Sequence, residues 1–151
     1  MHPIRHLLVA VDFDEVSERA LDYALEMAAP MGARVTAAHV YTVPMLNALA
    51  IDVEYLPSAS EASRLGDEAR TKLDALAASH ADRGTFESVL REGNVAEEIC
   101  RLAVERGADL IVVGTHRRGL IERTLLGSVA QTILRDAPLP VLTVREALKK
   151  S

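Results

Sequence analysis

Short apolar runs alternate with longer amphipathic stretches along this chain of 151 residues. The first run, His6 to Asp12 (HLLVAVD), precedes a stretch with apolar residues at helical spacing that ends at Gly32. Asp14 stands where a helix N-cap belongs, so we predict a helix over 15–31. The second run, Arg34 to Tyr41 (RVTAAHVY), is a strand. Alternation of this kind is typical of repeated strand–helix–strand units and a parallel sheet.

The second half of the chain continues this alternation. The remaining predicted elements are, in order, a long connection (42–60), a helix (60–81) closed by Gly84, a strand (85–91), a helix between Asn94 and Gly107, a buried central strand (109–114), a helix (128–135) and a last strand (141–145). We therefore expect one α/β domain over residues 1–151: an open, Rossmann-like, five-stranded parallel sheet with helices on both faces.

Composition then narrows the classes of function. Twenty-two acidic and 17 basic side chains leave a net charge of −5, which disfavours non-specific binding to nucleic acid. The longest apolar run, Leu7 to Val11, is far shorter than the ~20 residues of a membrane span. No secretory leader pattern follows Met1. The single cysteine excludes an intramolecular disulfide framework and suits a reducing compartment, so we expect a cytoplasmic protein.

Ligand-binding or catalytic residues are expected at the carboxyl ends of the strands, where ligands bind in such sheets. Strand one runs into Asp12-Phe13-Asp14-Glu15, which lacks the glycines of a dinucleotide-binding turn, and no P-loop sequence occurs in the chain. Dehydrogenase and Walker-type NTPase functions are therefore disfavoured. Asp12 itself has two explanations, because an acid at a strand end often only accepts hydrogen bonds from backbone amides.

The segment after the fourth strand is the strongest candidate for binding an anion. It runs from Gly114 to Ser128 (GTHRRGLIERTLLGS), carries three arginines and one glutamate, and ends at a helix N-terminus. Exposed backbone N–H groups and a partial positive charge favour phosphate there. A surface loop with a capped helix explains the same residues, because Ser128 followed by Gln131 matches a capping box. Both interpretations stay open.

At this segment the sequence resembles the universal stress protein family. The resemblance runs through HLLVAVDFDEVSERAL, AAHV and GADLIVVGTHRRGLIERTLLGSVAQTILRDAPLPVLTVR. In the nucleotide-binding branch of that family the loop reads Gly, two residues, Gly, nine residues, Gly and then Ser or Thr. Gly114, Gly127 and Ser128 match the first, third and hydroxyl positions, but Arg117 stands at the middle glycine, with Gly119 two residues further on.

The resemblance implies a fold of the adenine nucleotide alpha hydrolase type, ATP as the ligand with Mg²⁺ as its companion, and a homodimer formed through the strand Val141 to Arg145. Base and ribose would lie over Ala10, Val11, Asp12 and Val40. The phosphates would lie among residues of the loop and the following helix: Gly114, His116, Arg117, Gly127, Ser128 and Val129.

We therefore expect an ATP-binding stress-response sensor, with at most slow hydrolysis because no evident group drives fast phosphoryl transfer. The alternative is a nucleotide-free dimeric interaction module in which Arg117 remodels the site. An adenylate-forming or nucleotidyl-transferring enzyme is a third class, but the sequence shows no signature of one.

Other residue types that often carry chemistry favour structural roles here. His39 lies within an apolar strand, which favours a structural histidine, and Cys100 lies beside an apolar helical stripe, which favours an inert thiol. The remaining histidines lack metal-ligand spacing, so we predict no metal site.

Overall fold

Five strands alternate with four helices in the part of the chain that the structure, a computed structural model, describes: residues 2–44, 58–116 and 127–146. The elements are β1 (His6–Ala10), α1 (Glu15–Met31), β2 (Arg34–Tyr41), α2 (Ala59–Ser79), β3 (Phe86–Glu92), α3 (Val95–Glu105), β4 (Leu110–Thr115), α4 (Ser128–Asp136) and β5 (Val141–Arg145). The predicted bounds agree within two residues. Most of the predicted 42–60 connection, residues 45–57, lies outside the described residues. Among the described helices, none has the length and apolar character needed to cross a membrane.

The sheet is parallel throughout, with strand order β3-β2-β1-β4-β5. The chain therefore builds outward from β1 to β3, then returns to the other side of β1 and continues through β4 to β5. The order reverses between β1 and β4, so the loops at their carboxyl ends diverge and leave a crevice there. The last strand, β5, lies at one edge of the sheet, and β3 lies at the opposite edge.

Each face of the sheet carries its own apolar core, because alternate residues of a strand point to opposite faces. Leu7 and Val9 of β1 pack with Leu21 of α1 and Leu73 of α2. On the other face, Leu8 and Ile111 pack with Ile99 of α3 and Ile133 of α4. The predicted helices on both faces are confirmed.

Three of the four helices begin with a side-chain cap. Asp14 accepts a hydrogen bond from the Ser17 amide, which confirms the predicted cap, and Asn94 accepts one from the Glu97 amide. Ser58 caps α2 with a full capping box that includes Glu61. These caps satisfy amide groups that a helix start leaves without intrahelical partners.

The fourth helix begins differently, and the capping box predicted for Ser128 is wrong. The N-cap of α4 is Gly127, which has no side chain to accept a hydrogen bond, and its carbonyl accepts from the Gln131 amide at 3.0 Å. Ser128 is the first residue of the helix, so its hydroxyl is displaced by one position from where it would meet the first-turn amides. The start of α4 therefore has no side-chain cap among the described residues.

Candidate functional site

A cavity of about 310 Å³ lies at the carboxyl ends of β1, β2 and β4, where the strand order reverses. Nine of the ten predicted site residues line it: Ala10, Val11, Asp12, Val40, Gly114, His116, Gly127, Ser128 and Val129. The tenth, Arg117, lies outside the described residues. Residues from three separate strand ends are thus brought together around one space.

One side of the cavity is apolar. Ala10 and Val40, at the ends of β1 and β2, face Val95 and Ile99 at the start of α3, and Ala130 of α4 joins them. All five belong to, or pack against, the core between the sheet and α3 and α4. An apolar slot at a sheet edge suits a flat aromatic group that needs few directed polar contacts.

The edge of β1 beside this slot is held by a histidine. The Val11 amide donates to the Ala38 carbonyl at 2.9 Å, and Nδ1 of His39 donates to the Val11 carbonyl at 2.6 Å. The ring of His39 lies 4.4 Å from the ring of Phe13, whose backbone has a left-handed φ of 67°. His39 therefore fixes the strand end through a satisfied hydrogen bond, in agreement with the structural role predicted for it.

Two carboxylates, Asp12 and Asp14, form the rim between β1 and α1. Asp12 is exposed, and its Oδ1 accepts a hydrogen bond from the Asp14 amide at 3.1 Å. Desolvation of its carboxyl group raises the pKa of Asp12, and the contact with the Asp14 carboxyl raises it further, whereas the hydrogen bond from the Asp14 amide lowers it. Burial acts in the same direction on Asp14, but hydrogen bonds from Asp12 and Ser17 outweigh it and lower the pKa of that carboxyl. Asp14 is therefore the member of the pair that holds the negative charge most firmly.

Asp14 also makes a contact that the sequence analysis missed. Its Oδ1 accepts from the Ser17 amide at 2.8 Å, and its Oδ2 lies 2.7 Å from Nε2 of His116. The carboxylate that caps α1 thus also pairs with the loop after β4. The sequence indicates the cap, but it contains no signal for a pair between residues so far apart in the chain.

The opposite side of the cavity is the start of α4. Gly127, Ser128 and Val129 line the cavity there, and all three are exposed. The first turn of a helix carries amide groups without intrahelical acceptors and a partial positive charge. Because no side chain among the described residues caps this helix, these amides remain available to an anionic ligand.

The two described glycines of the loop motif have different reasons to be glycine. A Cβ on Gly114 would lie 2.8 Å from Cγ1 of Val16 and 2.9 Å from its carbonyl oxygen, so the close packing of α1 on β4 requires glycine there. A Cβ on Gly127 would meet no described atom within 4 Å, and its φ of −57° suits any residue. Nothing in the described protein itself therefore demands glycine at 127.

The described residues give little support to metal or thiol chemistry. Across 2–44, 58–116 and 127–146, no group of three or more His, Cys, Asp or Glu side chains is placed to hold a metal ion. Cys100 is half-buried, and burial together with the charge of Asp136 raises the pKa of its thiol. A raised pKa lowers the fraction of reactive thiolate, in agreement with the inert thiol predicted.

A second, larger groove of about 460 Å³ lies at the other end of the sheet, between the end of α1 and the turn before β3. Small apolar residues of α1 line it together with Glu26 and Arg83. Arg83 is already paired with Asp22. None of the predicted site residues lies there, so the cavity at the switch point remains the candidate site.

Comparison with known proteins agrees with the fold and with the resemblance in the loop. Residues 3–145 match the Universal stress protein family. A universal stress protein of Thermus aquaticus is 34% identical over 144 residues, which cover 92% of this chain and 97% of the relative. The crystal structure of a universal stress protein family member from Burkholderia pseudomallei is 33% identical, with a TM-score of 0.69 over 93% of this chain and 96% of that one.

A third similar protein is a universal stress protein crystallised in complex with cAMP. It is 28% identical to this chain, with a TM-score of 0.62 over 97% of this chain and all of that one. The described parallel sheet, its strand order and the family match over nearly the whole length lead to one conclusion. The chain belongs to the universal stress protein family.

Proposed function

We propose that this protein binds an adenine nucleotide, with ATP as the first candidate, in the cavity at the switch point, and that it acts in the cytoplasm as a homodimeric stress-response regulator. One observation carries the proposal: the same cavity has an apolar slot on one side and an uncapped helix start on the other. This is the arrangement that a ligand with an aromatic base and a phosphate needs.

Each part of a nucleotide has a partner of suitable chemistry. The slot between Val40 and Ile99 suits the base, and the exposed carboxyl of Asp12 suits the ribose hydroxyls as an acceptor. The amides of Ser128 and Val129 suit a phosphate, which would take the place of the missing cap on α4. The relative crystallised with cAMP supports an adenine-containing ligand.

We infer binding and sensing rather than rapid turnover. Among the described residues that line the cavity there is no lysine or arginine to stabilise a transferring phosphoryl group. Because no metal-binding cluster exists among these residues, we expect Mg²⁺ to bind together with the phosphates rather than at a preformed protein site. Hydrolysis, where it occurs, is expected to be slow.

Calorimetric titration of the dialysed protein with Mg·ATP, AMP and cAMP tests this function. We expect saturable binding of at least one of these ligands. Asp12→Asn should weaken it about tenfold, because a hydrogen bond to a charged acceptor is worth roughly 1.5–3 kcal/mol. Asp74→Asn, on an exposed position of α2, is the matched control and should leave affinity unchanged. Absence of heat with all three ligands would contradict the proposal.

A second candidate function is a nucleotide-free interaction module, and it rests on Arg117, which stands at the middle glycine of the family's loop. If the arginine has closed the site, Arg117→Gly should create or strengthen ATP binding. If the guanidinium instead contacts phosphate, the same change should leave affinity similar or lower. Titration of the two proteins side by side distinguishes these outcomes.

A further inference from the structure

The pairing between β1 and β2 stops one bond short of the cavity. The register of the two strands ends at Ala10 and Ala38, and one further bond runs from the Val11 amide to the Ala38 carbonyl at 2.9 Å. In a parallel ladder the next bond would join the Val40 amide to the Val11 carbonyl. Within the described ranges that bond is not formed, so the amide and carbonyl of Val40 lie outside the ladder.

The unpaired groups of Val40 face the side of β1 rather than β3. On the β3 side, the Tyr41 carbonyl accepts from the Gly93 amide at 3.0 Å. The backbone groups of successive residues alternate between the two neighbouring strands, so those of Val40 point toward β1. Val40 lines the cavity and is only 5% exposed. A buried amide and carbonyl without partners cost free energy, which a ligand that bonds both would recover.

His39 satisfies the carbonyl that the Val40 amide would otherwise use. Its Nδ1 lies 2.6 Å from the Val11 carbonyl oxygen. Because a carbonyl only accepts, Nδ1 carries the hydrogen of this bond. The imidazole thus takes the place of a ladder bond at the point where the two strands separate.

Phe13 turns the chain away from β2 just beyond this point. Continuation of the ladder would bring the Phe13 amide to the Val40 carbonyl. The backbone of Phe13 instead has a φ of 67°, a left-handed conformation that is rare for a bulky residue. Its ring lies 4.4 Å from the ring of His39 and packs against the core beneath α1 and α2. The two rings in contact therefore hold both the turn and the gap beside Val40.

We propose that His39 is a positioning residue for the nucleotide base: by bonding the Val11 carbonyl, it keeps the Val40 amide and carbonyl out of the ladder and available to the base. The inference rests on the proposed nucleotide function and deepens it, because it assigns base selectivity to this pair of groups. Adenine offers a ring-nitrogen acceptor beside an amino donor, which matches a donor beside an acceptor. Hypoxanthine has a carbonyl oxygen in place of the amino group and would set acceptor against acceptor.

Amide hydrogen exchange of the ligand-free protein, followed by NMR, tests the state of the ladder. In the wild type the Val40 amide should exchange at least about tenfold faster than the Ala38 amide, which lies within the ladder. His39→Leu removes the donor, so the Val40 amide should bond to the Val11 carbonyl and slow to the rate of Ala38. His39→Asn keeps an N–H donor and should leave Val40 exchanging fast.

Calorimetric titration with AMP and IMP tests the consequence for the base. The wild type should bind AMP at least about tenfold more tightly than IMP, and AMP should slow exchange of the Val40 amide. These wild-type results test the inference whether or not the leucine variant folds. His39→Leu should lose about tenfold in AMP affinity and most of the preference over IMP. His39→Asn should retain both, whereas a merely structural role of His39 would lower the two affinities alike.

The outcomes distinguish this inference from the proposed function. A Val40 amide protected in the free wild type, or one that still exchanges fast in His39→Leu, would overturn the role of His39 and leave nucleotide binding intact. An unchanged preference for AMP in His39→Leu would overturn the assignment of base selectivity. Failure of the wild type to bind either nucleotide would contradict the proposed function, while the exchange rates would still decide whether His39 interrupts the ladder.

Discussion

The two described glycines of the loop motif have different structural roles in this protein. Gly114 and Gly127 both belong to the loop pattern that suggested a phosphate site, yet only Gly114 is enclosed by protein. Its missing Cβ makes room for Val16 at the start of α1. The missing Cβ of Gly127 leaves open space among the described residues, at the mouth of the cavity.

Substitution of these two glycines by alanine should therefore affect different properties, stability at Gly114 and nucleotide binding at Gly127. We expect Gly114→Ala to lower the free energy of unfolding by about 1–3 kcal/mol, since overpacking forces the backbone of α1 and β4 apart. Gly127→Ala should cost under about 1 kcal/mol of stability, the difference between glycine and alanine at an N-cap, but should weaken nucleotide binding.

Urea unfolding and calorimetric titration of both variants check this contrast. Equal losses of stability in the two variants would show that Gly127 is also needed for packing. Full nucleotide affinity in Gly127→Ala would show that the ligand does not approach this residue closely.

Residue identity indicated which residues line the cavity better than it indicated the contacts among them. Asp12, Gly127 and Ser128 were identified from a strand end and a loop pattern, which are local features of the chain. The pair between Asp14 and His116 depends on how β1 and β4 are placed side by side, and no local pattern encodes that placement. Such a contact follows only from the three-dimensional structure.

At the scale of elements, the starts of helices show where sequence patterns succeed and fail. The cap at Asp14 follows from a short polar residue placed before apolar periodicity. The same rule failed at Ser128, because α4 starts one residue earlier than the pattern requires. The capping box at Ser58 was missed because the helix was expected to begin at residue 60, one residue later than it does. Element order was predictable, but the exact first residue was not.

Three strands are joined by a partly buried polar network at the amino end of the sheet. His6 of β1 is only 2% exposed, and its Nε2 lies 2.7 Å from Oγ1 of Thr36 on β2. Thr36 in turn donates to Glu87 of β3 at 2.8 Å. Nδ1 of His6 lies 3.2 Å from the Arg106 carbonyl. Burial lowers the pKa of His6, and the charge of Arg34 lowers it further.

This network predicts a pH dependence of stability. Because the pKa of His6 in the folded state is below its ordinary value of 6.5, the unfolded chain binds the proton first as pH falls. The contribution of His6 to stability is therefore present above pH 6.5 and is lost as pH falls from 6.5 through the folded pKa. Urea unfolding between about pH 7.5 and about pH 5 should show this loss.

The variant His6→Gln should show a shallower loss over the same range, at the cost of lower stability at neutral pH. His2→Gln, at an exposed position near the N-terminus, is the matched control and should follow the wild type. Parallel pH profiles for His6→Gln and the wild type would contradict the assignment to His6.

At the scale of the whole molecule, the two edges of the sheet differ in character. The edge strand β3 carries Glu87, Arg91 and Glu92, and charges of this kind discourage pairing with another strand. The edge strand β5 (VLTVR) carries no charged residue before Arg145, and Arg19 donates to the Arg145 carbonyl at 3.1 Å. An uncharged edge strand of this kind supports the proposed homodimer through β5.

The hydrogen-bond pattern allows a selective test of that dimer. The Ile111 amide donates to the Pro140 carbonyl and the Glu146 amide to the Thr115 carbonyl, so the alternation of a parallel ladder turns the amide of Thr143 outward. Thr143→Pro should remove a dimer contact without breaking the pairing with β4.

Light scattering at micromolar concentration should give a dimer mass for the wild type and a monomer mass for Thr143→Pro. Ser88→Pro makes the same change on the outward side of β3 and should remain dimeric. A monomeric wild type would refute the proposed assembly, and a dimeric Thr143→Pro would place the interface elsewhere.

The uncapped start of α4 has a consequence for how nucleotide binding in the cavity affects the proposed dimer interface. The first turn of this helix lines the cavity, and the helix packs against β4, α3 and the edge strand β5, which is proposed to meet a second copy. A phosphate that accepts hydrogen bonds from the first-turn amides would slow their hydrogen exchange and stabilise the N-terminal end of the helix. Nucleotide binding would then make α4 more rigid beside the proposed dimer interface, without any displacement of the strands.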